Sequence, residues 1–226
     1  MQAHGLWRAF LWAGVALLGG VAAQAQTDVA VSVYGAFSGA TTGNGVTESP
    51  ANAAGGLLEV RHITHPWFGY EGSYAFNRAN QQYSSMVLPP CPPPGGCGPI
   101  KATAAVSANA YQLTGDWVAS LKIRNLRPFA LAGGGLILDV PTTKLAYQTG
   151  VDVVCTSTSS ACDNTTTVKP VFVYGAGLDW GLLPHLGLRF QYRGNLYKVP
   201  DLTKLYTSTD AFTHTAEPMI GVYFRL

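Results

Sequence analysis

Apolar and polar residues alternate with a period of two in eight separate stretches of this chain, and no other feature constrains its fold as much. Successive side chains on a strand point to opposite faces, so each stretch reads as a strand with two unlike sides. The first sets Val29, Val31, Val33 and Phe37 against Ala30, Ser32, Tyr34 and Ser38, and the second sets Leu58 and Val60 against Glu59 and Arg61. In the third, Phe68, Tyr70, Tyr74 and Phe76 oppose Gly69, Glu71, Ser73 and Asn77. In the fourth, Tyr111, Leu113, Trp117 and Leu121 oppose Gln112, Thr114, Asp116 and Ser120. Pro128 opens the fifth, a place where proline is tolerated, with Phe129, Leu131 and Ile137 on one face and Gly133-Gly134-Gly135 suited to a tightly curved wall. The sixth places Phe172, Tyr174, Leu178 and Trp180 opposite Gly175, Gly177 and Asp179. The seventh places Leu188, Phe190 and Tyr192 opposite Arg189, Gln191 and Arg193, and the eighth Ile220, Val222, Phe224 and Leu226 opposite Glu217, Gly221, Tyr223 and Arg225.

Tight turns follow the second, fourth and sixth strands, around Thr64-His65-Pro66, Arg124-Asn125 and Leu183-Pro184-His185, whereas the other connections are long. That layout matches a barrel with short periplasmic turns and long outer loops. A soluble lipocalin-like barrel also has eight alternating strands, so the kind of residue on each face decides. Only 12% of the 226 residues are charged, about half the ~25% usual in soluble domains, and the apolar faces are free of charge. Beyond the N-terminus no stretch is apolar enough for a transmembrane helix, so a membrane-spanning chain must close into a barrel. The expected fold is all-β: an eight-stranded antiparallel up-and-down transmembrane β-barrel over residues 26–226, in a bacterial outer membrane.

Residues 1–25 read as a secretory signal peptide. Arg8 precedes an apolar run from Ala9 to Ala22, and Ala23-Gln24-Ala25 has the small-x-small form that signal peptidase cuts, leaving Gln26 first. In a secreted chain, the four cysteines read as two local disulfides, Cys91 with Cys97 and Cys155 with Cys162, although four cysteines allow three connectivities. A zinc site fits less well, since neither pair has the usual short spacer and no histidine follows at ligand spacing. A net charge of +2 with no basic run gives no expectation of nucleic-acid binding.

Three pieces of the sequence resemble the OmpA-like family of small outer-membrane barrels: Gly69-Tyr70-Glu71-Gly72-Ser73-Tyr74, Arg127-Pro128-Phe129 leading to Gly133-Gly134-Gly135, and Gly221-Val222-Tyr223-Phe224-Arg225-Leu226. The resemblance spans the mature chain through the order and spacing of these pieces. It implies a barrel, an outer-membrane address, contact with outer-membrane lipid and handling by the barrel-assembly machinery. In that family the last strand ends in an aromatic residue, whereas here Phe224 stands two before the final Leu226. The same fold hosts adhesins, structural proteins and enzymes, so the resemblance does not settle activity.

The polar faces collect charges of both signs. Glu59, Glu71, Asp116, Asp179 and Glu217 would face Arg61, Arg189, Arg193 and Arg225 in a lumen only wide enough for side chains, where unpaired charge is costly. The expectation is a lumen plugged by ion pairs, or, for members near the rims, weak solvated pairs. No catalytic, metal or cofactor residues are expected. His62, His65 and His185 lie at turns without a ligand cluster. Lipid-modifying barrels of the lipid A deacylase type use a His-x-Ser pair with a carboxylate; the nearest residues here are His214, Thr215 and Glu217, of which the first and last would point to opposite faces. The expected role is structural or surface-recognising, through outer loops whose partner the sequence does not identify. The alternatives are a small-solute channel, a lipocalin-like carrier and a lipid-modifying enzyme.

Overall fold

The structure, a computed structural model, describes residues 26–65, 67–87, 98–143, 147–149 and 162–226. The proposed signal peptide and Cys91, Cys97 and Cys155 lie outside these residues; Cys162 is inside and fully buried. The described residues form eleven strands: β1 (Gln26–Ser38), β2 (Thr41–Gly43), β3 (Val46–Pro50), β4 (Ala53–His65), β5 (Phe68–Val87), β6 (Ile100–Ser120), β7 (Leu126–Pro141), β8 (Tyr147–Thr149), β9 (Thr167–Gly181), β10 (Leu186–Lys198) and β11 (Phe212–Arg225). Eight of them, β1, β4, β5, β6, β7, β9, β10 and β11, form the wall, each antiparallel to its neighbours. The ring closes where β1 pairs with β11, from Asp28 opposite Arg225 to Ser38 opposite Thr215. Closure removes the sheet edges, which hydrocarbon cannot satisfy.

Alternation assigns the faces. Val31, Val33, Leu113, Trp117, Phe172, Phe190, Ile220 and Val222 lie on the outer surface, while Ala30, Ser32, Glu59, Arg61, Asp116, Arg189 and Gln191 are buried inside. At the short-turn end Phe68 stacks on Trp117 with ring centres 5.4 Å apart, as in the aromatic girdle of a membrane interface. The fifth wall strand departs from the expected pattern of apolar outside and polar inside. On β7, Phe129, Leu131 and Ile137 face the lumen, packing with Val118, Val171, Val173 and Tyr197. Its outward residues include Ala130, Ala132 and Gly134. The glycines explain part of this: Gly133 and Gly135 point inward, where an added Cβ would strike the β6 backbone, so the large residues of β7 stand above and below them.

Two strands are longer than a membrane crossing needs. β5 has 20 residues and β6 has 21, against roughly 9–11 for a transmembrane strand, so their far halves stand beyond the outer surface. There β3 pairs with β5 and β8 with β6. The Thr42-Gly43-Asn44-Gly45 segment, expected as a loop, makes the β2–β3 hairpin instead. Asn44 (φ 49°) and Gly45 (φ 75°) supply the two left-handed residues that a type I′ turn needs.

Candidate functional site

The lumen is the most heavily charged place in the described structure, and strand register builds it. Hydrogen-bonded pairing puts Asp28, Arg61, Glu71 and Asp116 in one row across β1, β4, β5 and β6. A second row runs Ser32, Gly221, Arg189, Asp179 and Arg127 across β1, β11, β10, β9 and β7. Ring closure turns the two rows toward each other. Within the first, Arg61 holds Glu71 through Nε at 2.7 Å and Nη2 at 2.6 Å. Within the second, Arg189 Nε donates to Asp179 Oδ1 at 2.7 Å and its Nη2 to Oδ2 at 3.1 Å, a two-pronged contact that fixes orientation as well as energy.

Contacts between the rows lock them. Arg61 Nη1 reaches Asp179 Oδ2 at 3.1 Å, and Arg189 Nη1 reaches Glu59 Oε2 at 3.4 Å and Glu71 Oε2 at 3.6 Å. Ser32 donates to the same Glu59 oxygen at 3.3 Å. The Arg61 guanidinium lies over the Phe129 ring at 3.9 Å, so the inward phenylalanine of β7 serves as a cation platform. Farther along, Arg193 donates to Ser73 at 2.9 Å and Thr114 at 3.0 Å and lies 3.6 Å from Asp116. The side chains of Arg61, Arg189, Glu59 and Glu71 are wholly removed from solvent.

The charges named from the sequence thus divide by place. Glu59, Arg61, Glu71, Asp179 and Arg189 share one network, and Asp116 and Arg193 pair farther along the lumen. Glu217 is buried but ion-pairs with none of them, taking a hydrogen bond from Asn195. Arg225 lies at the short-turn rim, a quarter exposed, 3.5 Å from Asp28. His214 turns outward to the Tyr174 hydroxyl at 2.8 Å, away from Thr215 and Glu217 in the lumen. His62 meets Thr27 at 2.9 Å, and His185 the Arg225 carbonyl at 3.1 Å.

Sequence reasoning missed Asp28 and Arg127, which occupy inward positions at strand ends, and it missed the closure of the outer mouth. Residues 199–211 fold over that mouth. Leu202 is fully buried among Val46, Tyr83, Val106 and Ala108, Tyr83 donates to the Pro200 carbonyl at 2.6 Å, and Asn44 donates to the Ser208 carbonyl at 2.8 Å. The signal was present in Leu202, Leu205 and Tyr206, apolar residues in a supposedly solvated loop. Beneath this cover, burial and the nearby Asp139 and Asp201 carboxylates push the Glu48 carboxyl up to about 8. Between cover and network, a cavity of about 30 Å³ is lined by Gln112, Asp139, Asn195, Tyr197 and Glu217, room for little more than water.

Among solved structures, the chain is similar to the attachment invasion locus protein Ail of Yersinia pestis, solved with the heparin analogue sucrose octasulfate: 15% identity, 89% of this chain and 97% of that chain covered, TM-score 0.45. It is also similar to the N-terminal β-barrel domain of Pseudomonas aeruginosa OprF, at 14% identity, 90% and 100% coverage and TM-score 0.43. The outer membrane protein OprG of the same organism gives 11%, 89% and 95%, and 0.49. No curated protein matches the sequence. The outer membrane protein beta-barrel domain family matches residues 13–224, and the closed antiparallel wall is a β-barrel as that family's description requires. The chain therefore belongs to the outer membrane protein beta-barrel domain family and is an integral barrel of the bacterial outer membrane.

Proposed function

We propose that this barrel is a non-enzymatic anchor that presents a recognition surface outside the cell and does not conduct solutes. One observation carries the reading: between the folded outer segment and the short-turn end, the lumen is occupied from within by a buried ion-pair network and by the Phe129 cluster, with a cavity of about 30 Å³ directly beneath the outer segment. A wall that carries nothing through its middle does its work at its ends. On the outer side that work falls to the β2–β3 hairpin, the projecting halves of β5 and β6 and residues 199–211.

In the same reading the chain reaches the membrane by its cleaved signal peptide and the barrel-assembly machinery, packs against outer-membrane lipid, and carries local Cys91–Cys97 and Cys155–Cys162 bridges in its outer loops. No nucleic acid takes part, and the extracellular partner is a surface component yet to be identified. Two measurements test the function. Purified monomer in planar bilayers is expected to show no steady conductance, and a stable ohmic channel would overturn the plugged reading. Cells in which 199–211 is replaced by a short glycine-serine linker are expected to lose host-surface or matrix binding while keeping the folded barrel. Unchanged binding would remove the recognition role.

A further inference from the structure

At the short-turn end the lumen opens into a cavity of about 350 Å³ with a positive wall. Lys122 and Arg124 come from the β6–β7 turn, Arg127 from the start of β7 and Arg225 from the end of β11. The carboxylates nearby are already engaged. Asp179 is held by Arg61 and Arg189, and Asp28 is shared between Arg127 at 3.7 Å and Arg225 at 3.5 Å. Neither Lys122 nor Arg124 has an ion pair among the described residues.

Arg127 is the decisive group. Its side chain is nine-tenths buried, and Nη2 donates to Gln26 Oε1 at 2.8 Å, but Nε reaches no hydrogen-bond acceptor and Nη1 has only the long 3.7 Å ion pair to Asp28. Arg225 Nε makes no hydrogen bond beyond its 3.5 Å ion pair to the same Asp28. Buried guanidinium donors without acceptors are costly, and a tetrahedral oxyanion offers several acceptors to the fork that an arginine presents. The turns framing the cavity add exposed Leu126, Leu182 and Leu183 beside these cations. Cationic donors inside and apolar side chains at the rim match an amphiphile with an anionic head. Short turns mark the periplasmic side.

We propose that this mouth binds the phosphate group of a phospholipid in the periplasmic leaflet. Lys122 and Arg124 draw the headgroup in, Arg127 and Arg225 hold its oxygens, and the turn leucines meet the start of its acyl chains. The site ties the end of the barrel to its own leaflet, independently of what the outer loops recognise.

The test is calorimetric titration of the barrel in dodecyl maltoside with three probes: dihexanoyl phosphatidylglycerol, inorganic phosphate and uncharged dihexanoylglycerol. Saturable binding of the phosphatidylglycerol is expected, weaker competition by phosphate, and none by dihexanoylglycerol. The doubly substituted Lys122→Gln, Arg124→Asn protein is expected to bind about tenfold or more weakly, the loss of a charge-assisted contact. Both positions are exposed, and asparagine accepts the positive φ of Arg124 (55°), so the fold survives, which unchanged heat-dependent gel mobility would verify. Lys198→Gln, at the opposite end, is expected to leave binding unchanged. Absence of saturable phosphatidylglycerol binding, or equal binding by the double variant, overturns the site. Phosphate binding as tight as the lipid overturns the lipid as its occupant.

Discussion

Arg189 shows how one residue can hold a barrel closed. It reaches Asp179 beside it at 2.7 Å and Glu59 on the far side at 3.4 Å, with no solvent contact. Removing it leaves carboxylates buried without their cation, and the cost of an orphaned buried charge is about 3–5 kcal/mol. Arg189→Ala is therefore expected to lower the unfolding free energy of the lipid-reconstituted barrel, read by urea titration, by that amount. The partly exposed Lys169–Asp201 pair, at 2.9 Å, should lose under about 1 kcal/mol on Lys169→Ala, and equal losses would show that the lumen pairs are solvated. The adjacent Phe190 points the other way, to lipid. Phe190→Arg is expected to cost about 2–4 kcal/mol in the same titration, since the charge would meet hydrocarbon. Gln191→Arg, which alternation alone marks as the tolerated neighbour, would instead place a third cation on the face shared by Arg189 and Arg193.

Among the elements, the segment of residues 199–211 has the most to lose or gain from pH. It packs over Glu48 of β3, whose carboxyl is raised to about 8 by burial first and by Asp139 and Asp201 next, with Lys169 opposing. The folded state thus holds the proton more tightly than the unfolded chain does, near 4.5. The associated stability is fully present below pH 4.5 and is lost as pH rises toward 8. Protease cleavage within 199–211 is expected to speed up between pH 5 and pH 9 in the wild type and to rise less steeply in Glu48→Gln. A flat wild-type profile would mean that Glu48 is ionised throughout. This element was poorly legible in the sequence: its contacts to Tyr83 and Val46 are long in range, and no local period announces them. β7 was misread for a related reason. Its apolar side is as regular as the others, but Phe129 is held inward beneath Arg61, a partner that local alternation does not reveal.

As a whole molecule, the barrel is expected to resist salt extraction, to need detergent, and to migrate differently on gels before and after boiling. A stable monomer without detergent would contradict its outer surface of Val31, Trp117, Phe172, Phe190 and Val222. The wall, its facing on most strands and the gathering of its short turns at one end were readable from residue order, because a period of two and the length of a turn are local properties of the chain. The pairing of the lumen charges was not. Asp179 and Arg189 sit on neighbouring strands of one hairpin, within reach of sequence reasoning, but Arg61 meets Asp179 across 118 positions and Arg189 meets Glu59 across 130. Those contacts exist only once register aligns each row and closure turns the rows face to face. The sequence by itself determined that charges of both signs would lie inside, and the tertiary structure alone decided which would touch, because closure is a property of the ring and not of any strand in it.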